Sequence, residues 1–120
     1  MRIAAIATAW VLATGCFGND DNRLEVLVDA LVVESGSLAT QAENALVARG
    51  RDSIVVLETG LYRATPHGRR RIIRTLARIG HPDARPVLAH LHRYDSDEDV
   101  REAAARAMDR MNTGGEGKSK

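Results

Sequence analysis

The 120-residue sequence predicts an all-α fold: a right-handed α-solenoid of antiparallel helix pairs with about six helices. Three observations lead there. Apolar residues recur at three- and four-residue spacing from Leu24 to Met111, the period of helices with one buried face. Glycine, proline and capping residues interrupt that pattern at regular intervals. Finally, Ala45-Leu46-Val-Ala-Arg-Gly50, Thr75-Leu76-Ala-Arg-Ile-Gly80 and Ala107-Met108-Asp-Arg-Met111 recur at offsets of 30 and 32 residues, the period of stacked helix pairs. Aromatic residues make up only 3%, which favours aliphatic helix packing over a sheet.

The first helix carries Leu24, Leu27, Val28, Leu31 and Val32 inward. It stops at Glu34-Ser-Gly-Ser37, with Gly36 as the terminator and Ser37 as the next N-cap. The second buries Leu38, Ala42, Ala45 and Leu46, with Thr40 and Glu43 spaced as a capping box. Gly50 ends it, and Asp52 caps a third helix whose Ile54, Leu57 and Leu61 face the core. Thr65-Pro66 starts the fourth, because proline at the first helical position gives up no needed hydrogen bond. Ile72, Ile73, Leu76 and Ile79 form its buried face, and Gly80 closes it.

His81-Pro-Asp83 opens the fifth helix, with Ala84, Val87, Leu88 and Leu91 inward. Pro86 is tolerated there because it falls in the first turn. Asp95-Ser-Asp-Glu-Asp99 sets negative charge at the start of the sixth helix, whose stripe is Val100, Ala104, Ala107, Met108 and Met111. Residues 112–120 hold three glycines and no bulky apolar side chain, the composition of a disordered tail.

Ahead of these helices, Arg2 precedes an apolar run from Ile3 to Thr14, a signal-peptide length well short of a membrane span. The run ends in Ala13-Thr14-Gly15-Cys16, which resembles the lipobox of bacterial lipoproteins, with Ala13 in place of the usual Leu or Val. The resemblance implies cleavage before Cys16 and lipid on its sulfur, and two or more acyl chains anchor a protein stably. It also consumes the chain's one thiol. Phe17, where an inner-membrane lipoprotein of a Gram-negative cell would carry Asp, implies the periplasmic face of the outer membrane in such a source. The expected organisation is a signal peptide over 1–15, lipidated cysteine and tether over 16–23, a helical domain over 24–111 and the tail.

The run Asp97-Glu-Asp-Val-Arg-Glu-Ala-Ala-Ala-Arg-Ala-Met108, with Ala77-Arg-Ile-Gly-His-Pro-Asp83, resembles HEAT repeats of the short bacterial type over roughly residues 37–111. Gly68 stands where the third unit has Val100, so the second unit matches less well. The resemblance implies protein binding along the concave surface made by the second helix of each pair, here about 52–64 and 83–94. Aligning those helices at the 30-residue offset pairs Val55 with Arg85, Thr59 with Ala89, Tyr62 with His92 and Arg63 with Arg93. These eight residues are the expected partner-binding strip, since tyrosine and arginine are enriched at binding hot spots.

The remaining chemistry points away from catalysis and metals. Asp95, Asp97 and Asp99 alternate as in a calcium loop, but Val100 replaces the required glycine and Arg106 the bidentate glutamate. His67, His81, His90 and His92 lack the spacing of a zinc set. The serines sit at caps and turns, so no nucleophile with a base can be nominated. Arg70, Arg74 and Arg78 form an i, i+4 stripe that reads as a solvated face. The resemblance to HEAT repeats implies that Arg69, which matches Arg101, pairs with acidic residues of adjacent units.

Without Arg2, 16 of the 17 basic residues remain against 16 acids, a neutral balance that excludes a dedicated nucleic-acid binder. The expected protein is a lipid-anchored adaptor in the cell envelope, with no cofactor, an unidentified envelope protein as partner, and self-association to cover terminal repeats. The rival readings are a cytoplasmic scaffold and a chromophore lyase, the latter an enzyme class among short HEAT-like proteins.

Overall fold

The structure, a computed structural model, describes residues 20–33 and 35–118. Six helices follow one another: α1 (Asp20–Val33), α2 (Ser37–Arg49), α3 (Asp52–Leu61), α4 (Pro66–Ile79), α5 (Arg85–Tyr94) and α6 (Glu98–Lys118), with a 3-10 turn at Pro82–Ala84 ahead of α5. The described residues contain no strand, and the fold is an all-α solenoid. The signal segment and Cys16 lie outside the described residues. No described helix is long and apolar enough to cross a membrane.

Side chains spaced three and four apart build the core, as helical periodicity requires. Leu24, Leu31, Leu46, Leu57, Ile72, Ile73, Leu76 and Leu88 are each 2% exposed or less. Burial of one such side chain stabilises by about 1.5–3 kcal/mol. The helix ends use local chemistry. Thr65 accepts a hydrogen bond from the Gly68 N–H at 3.2 Å, with Pro66 in the first turn, and Gly80 ends α4 in the left-handed region. Ser53 donates its hydroxyl to the Leu46 carbonyl at 2.7 Å, joining the end of α2 to the start of α3.

Packing runs in two layers. Helices α2, α4 and α6 stack in order, while α1 lies against α2, α3 and α4. The sequence pairs the second helix with the third and the fourth with the fifth. The closest neighbours are instead α1 with α2 and α5 with α6. The 3-10 turn offsets α5, and its backbone approach to α3 and α4 is slight.

Two glycines explain how α1 fits. A Cβ on Gly60 would lie 2.5 Å from Val28 Cγ1, and one on Gly68 would lie 3.2 Å from the Cβ atoms of Ala64 and Val32. The departure of Gly68 from the repeat pattern therefore has a packing cause: a larger residue would displace α1.

Several expectations are corrected. Leu38 is 55% exposed, and Ala39 takes the inward place. Ser37 and Asp52 are first helical residues rather than N-caps. Thr40 is then one turn too late for a capping box; its hydroxyl donates back to the Gly36 carbonyl at 3.1 Å. Residues 20–23, expected in the tether, are helical, and so are 112–118 of the expected tail. Once a helix is nucleated, each added residue gains a hydrogen bond, so a helix readily continues past the bounds set by its apolar stripe.

Candidate functional site

The arginines of α4 divide between the two faces of the stack. On one face Glu43 of α2, only 6% exposed in its side chain, receives Arg74 Nη2 at 2.6 Å and Arg78 Nη1 at 2.6 Å. Burial pushes the Glu43 carboxyl up, but hydrogen bonds and positive charge from Arg74 and Arg78 outweigh it and hold the group below its ordinary value. Arg70 reaches Asp99 of α6 at 3.4 Å. The stripe expected to be solvated instead bridges α2, α4 and α6. Its signal in the sequence was Glu43, whose distance from Arg74 and Arg78 is about one repeat.

Arg69 turns the other way. Its Nε lies 2.9 Å from Asp95 Oδ2 and its Nη2 donates to Oδ1 at 3.1 Å, while Nη1 donates to the Ala64 carbonyl at 2.8 Å. Arg101 donates to the Asp95 carbonyl at 2.6 Å. Asp97 caps α6 by accepting from the Val100 N–H at 3.0 Å. The aspartates that alternate like a calcium loop are thus occupied in capping and pairing. Among the described residues no group of three or more His, Cys, Asp or Glu is placed to hold a metal ion.

A cleft of about 640 Å³ lies between α3 and α5, with the Arg69–Asp95 pair at its lining. On the α3 side it is lined by Glu58, Leu61 and Tyr62; on the α5 side by Pro86, Val87, His90, Leu91 and Tyr94. Tyr62 is 87% exposed and Tyr94 65%. The His90 and Tyr94 rings meet with centroids 5.0 Å apart at 49°, a geometry favoured between aromatic rings.

All eight residues of the predicted strip are exposed, yet they do not form one surface. Tyr62 alone among them lines the cleft. Val55 and Thr59 border a separate depression with Leu24 and Glu25 of α1. Arg63 pairs with Asp29 of α1 at 3.1 Å. Arg85 donates to Asn112 and the His92 ring contacts the Arg101 carbonyl, both on α6. Ala89 and Arg93 are exposed on α5 outside the cleft lining. The reason is geometric: a cleft between stacked helices takes the leading flank of one and the trailing flank of the next. Positions aligned by a repeat offset share one flank, so they cannot face each other. Tyr94, His90 and Glu58 were missed for that reason.

The model for HEAT repeats matches residues 54–118, more than half of the chain. The chain belongs to the HEAT-repeat family. The match starts within α3 and takes in α4, α5 and α6, so it contains both walls of the cleft. HEAT repeats generally mediate protein–protein interaction. No curated protein and no solved structure matches the chain.

Proposed function

We propose that this HEAT-repeat protein is a lipid-anchored adaptor of the cell envelope, held at the membrane through Cys16 and binding another envelope protein in the α3–α5 cleft. The observation that carries the binding half is the cleft itself: an apolar floor under two tyrosines whose rings are largely exposed. Exposed aromatic side chains over a concave apolar surface are the usual anchors of a protein interface. The domain carries out no reaction of its own in this reading.

The anchoring half rests on the lipobox-like Ala13-Thr14-Gly15-Cys16, and α1 supports a definite orientation. Three residues separate Cys16 from Asp20, a reach of no more than about 14 Å. The start of α1 shares a depression with Arg49, Arg51 and Asp52, so it lies beside the start of α3. Tyr62 and Tyr94 lie at the opposite ends of α3 and α5. The tyrosine end of the cleft then points away from the bilayer, toward soluble parts of a partner.

Growth of cells with radioactive palmitate tests the anchor: the wild type takes up label and Cys16→Ala does not. Equal labelling of both, or none of the wild type, removes the anchor. Co-purification from solubilised envelopes, lost on Tyr62→Ala, tests the cleft. A partner retained equally by that variant sinks the binding half.

A further inference from the structure

We infer that the cleft selects a partner segment carrying a basic side chain, arginine or lysine, flanked by apolar residues; the inference rests on the interaction reading above and specifies its partner. Charge complementarity carries it, through four independent features of one place. Glu58 is exposed on the α3 wall and enters none of the ion pairs among the described residues. The one arginine in the lining, Arg69, is already neutralised by both carboxylate oxygens of Asp95. With histidine counted as neutral, Glu58 leaves the lining one negative charge in excess.

The backbone adds to that charge. Helix α3 ends at Leu61 and α5 at Tyr94, and both C-termini meet the cleft. A helix C-terminus presents the negative end of its dipole. The end of α5 already has His92, Arg93 and Arg101 beside it, so it is α3, with no basic residue in its last turn, whose end favours an added cation. Tyr62 and Tyr94 supply electron-rich ring faces within the same lining, and such faces attract ammonium and guanidinium groups. Contact with His90 steadies the Tyr94 ring, which lowers the ordering cost when a ligand arrives. Beneath them Leu61, Val87 and Leu91 offer an apolar floor, suited to the side chains on either side of the basic one.

The contrast with the cleft at the start of α2 makes the assignment specific. That second depression is lined by Arg70, Arg71, Arg74 and His67 and by no acidic side chain. It lacks the excess carboxylate that Glu58 supplies at the tyrosine end of α3 and α5.

The test is selection of random peptides displayed on phage against the full chain held in detergent, with depletion on Tyr62→Ala/Tyr94→Ala to keep only cleft-dependent binders. Circular dichroism establishes that each variant retains its helices. The expected outcome is enrichment of peptides with one arginine or lysine between apolar residues. A synthetic copy of the leading peptide should lose about tenfold in affinity on Glu58→Lys, and again when its basic residue is replaced by glutamine. Val55→Ala, outside the cleft, should leave binding unchanged. Cleft-dependent peptides with an acidic or uncharged consensus overturn the charge assignment and leave the interaction reading standing. Failure to recover any peptide that depends on the tyrosines overturns both.

Discussion

On the face built by α2, α4 and α6, charged side chains cross every junction: Glu43 holds Arg74 and Arg78, and Arg70 meets Asp99. Between α3 and α5 the one ion pair among the described residues is Arg51 with Asp83. It is exposed and lies at the far end from the tyrosines. The first face also packs helix on helix in order, whereas α3 and α5 barely approach. Spacing between units can thus be set on one side of a stack, leaving the other side open. An open cleft costs little when its walls are positioned from behind.

The sharpest way to break this division is at Asp95, 6% exposed in its side chain, whose carboxylate is shared by Arg69 and the Asp97 N–H. It joins α4 to the turn that follows α5. Asp95→Ala leaves Arg69, itself 17% exposed, without its carboxylate, and the loss should be about 3 kcal/mol. Thermal melts followed by circular dichroism should show a fall of roughly 10–20 °C. A shift within error would mean that the pair contributes nothing to joining the layers.

Gly60 comes next, because a methyl group there meets Val28 at 2.5 Å. Gly60→Ala should cost about 1–3 kcal/mol, measured by urea denaturation. Val28→Ala in the same chain should recover part of that loss. If the two substitutions simply add, the close approach of α1 to α3 is not the cause.

Glu43→Gln tests the bridged face, with a smaller effect because Arg74 and Arg78 are 56% and 44% exposed. The expected loss is about 1–2 kcal/mol at neutral pH. Glu43 is held below its ordinary value of 4.5, so its contribution is complete above that value. It fades as the pH falls through the lower folded value. The gap between wild type and variant should therefore be widest at neutral pH and close in acid. A gap independent of pH would assign the loss to packing rather than charge.

Smallest of all should be the effect of Tyr62→Ala on stability, within about 0.5 kcal/mol, because the ring is 87% exposed. Tyr94→Ala should behave alike apart from its contact with His90. Both should weaken partner binding by about tenfold or more. Calorimetry alongside binding isotherms separates the two quantities. A large loss of stability would show that the tyrosines belong to the core, not to an open surface.

Much of the architecture is legible in the chain because helical periodicity, proline and glycine act locally. Leu46, Leu57, Ile72, Leu76 and Leu88 are buried where their spacing places them. Arg69 pairs with an acid of the neighbouring turn, as its place in the repeat implies. What escapes is whatever depends on how two elements approach each other. Glu43 reads as half of a local capping box, since its partners are 31 and 35 residues away. Gly60 matters only where α1 crosses it, which no local pattern around it records. The cleft escapes for the same reason: Tyr62 was visible as an exposed aromatic, but its counterpart is Tyr94, not the aligned His92.

The two glycines under α1 also bear on how such an array can change length. Tandem arrays grow by copying a unit whose front and back are interchangeable. Gly60 and Gly68 make the surfaces that receive Val28 and Val32 unlike the other junctions among the described residues. An extra helix pair inserted between α1 and α3 would therefore present side chains where α1 needs bare backbone. The same pair inserted after α4 would meet only the ordinary stacking surface that α6 already accepts. Duplication is thus directional in this molecule: one seam is keyed to a single occupant, and the other admits copies.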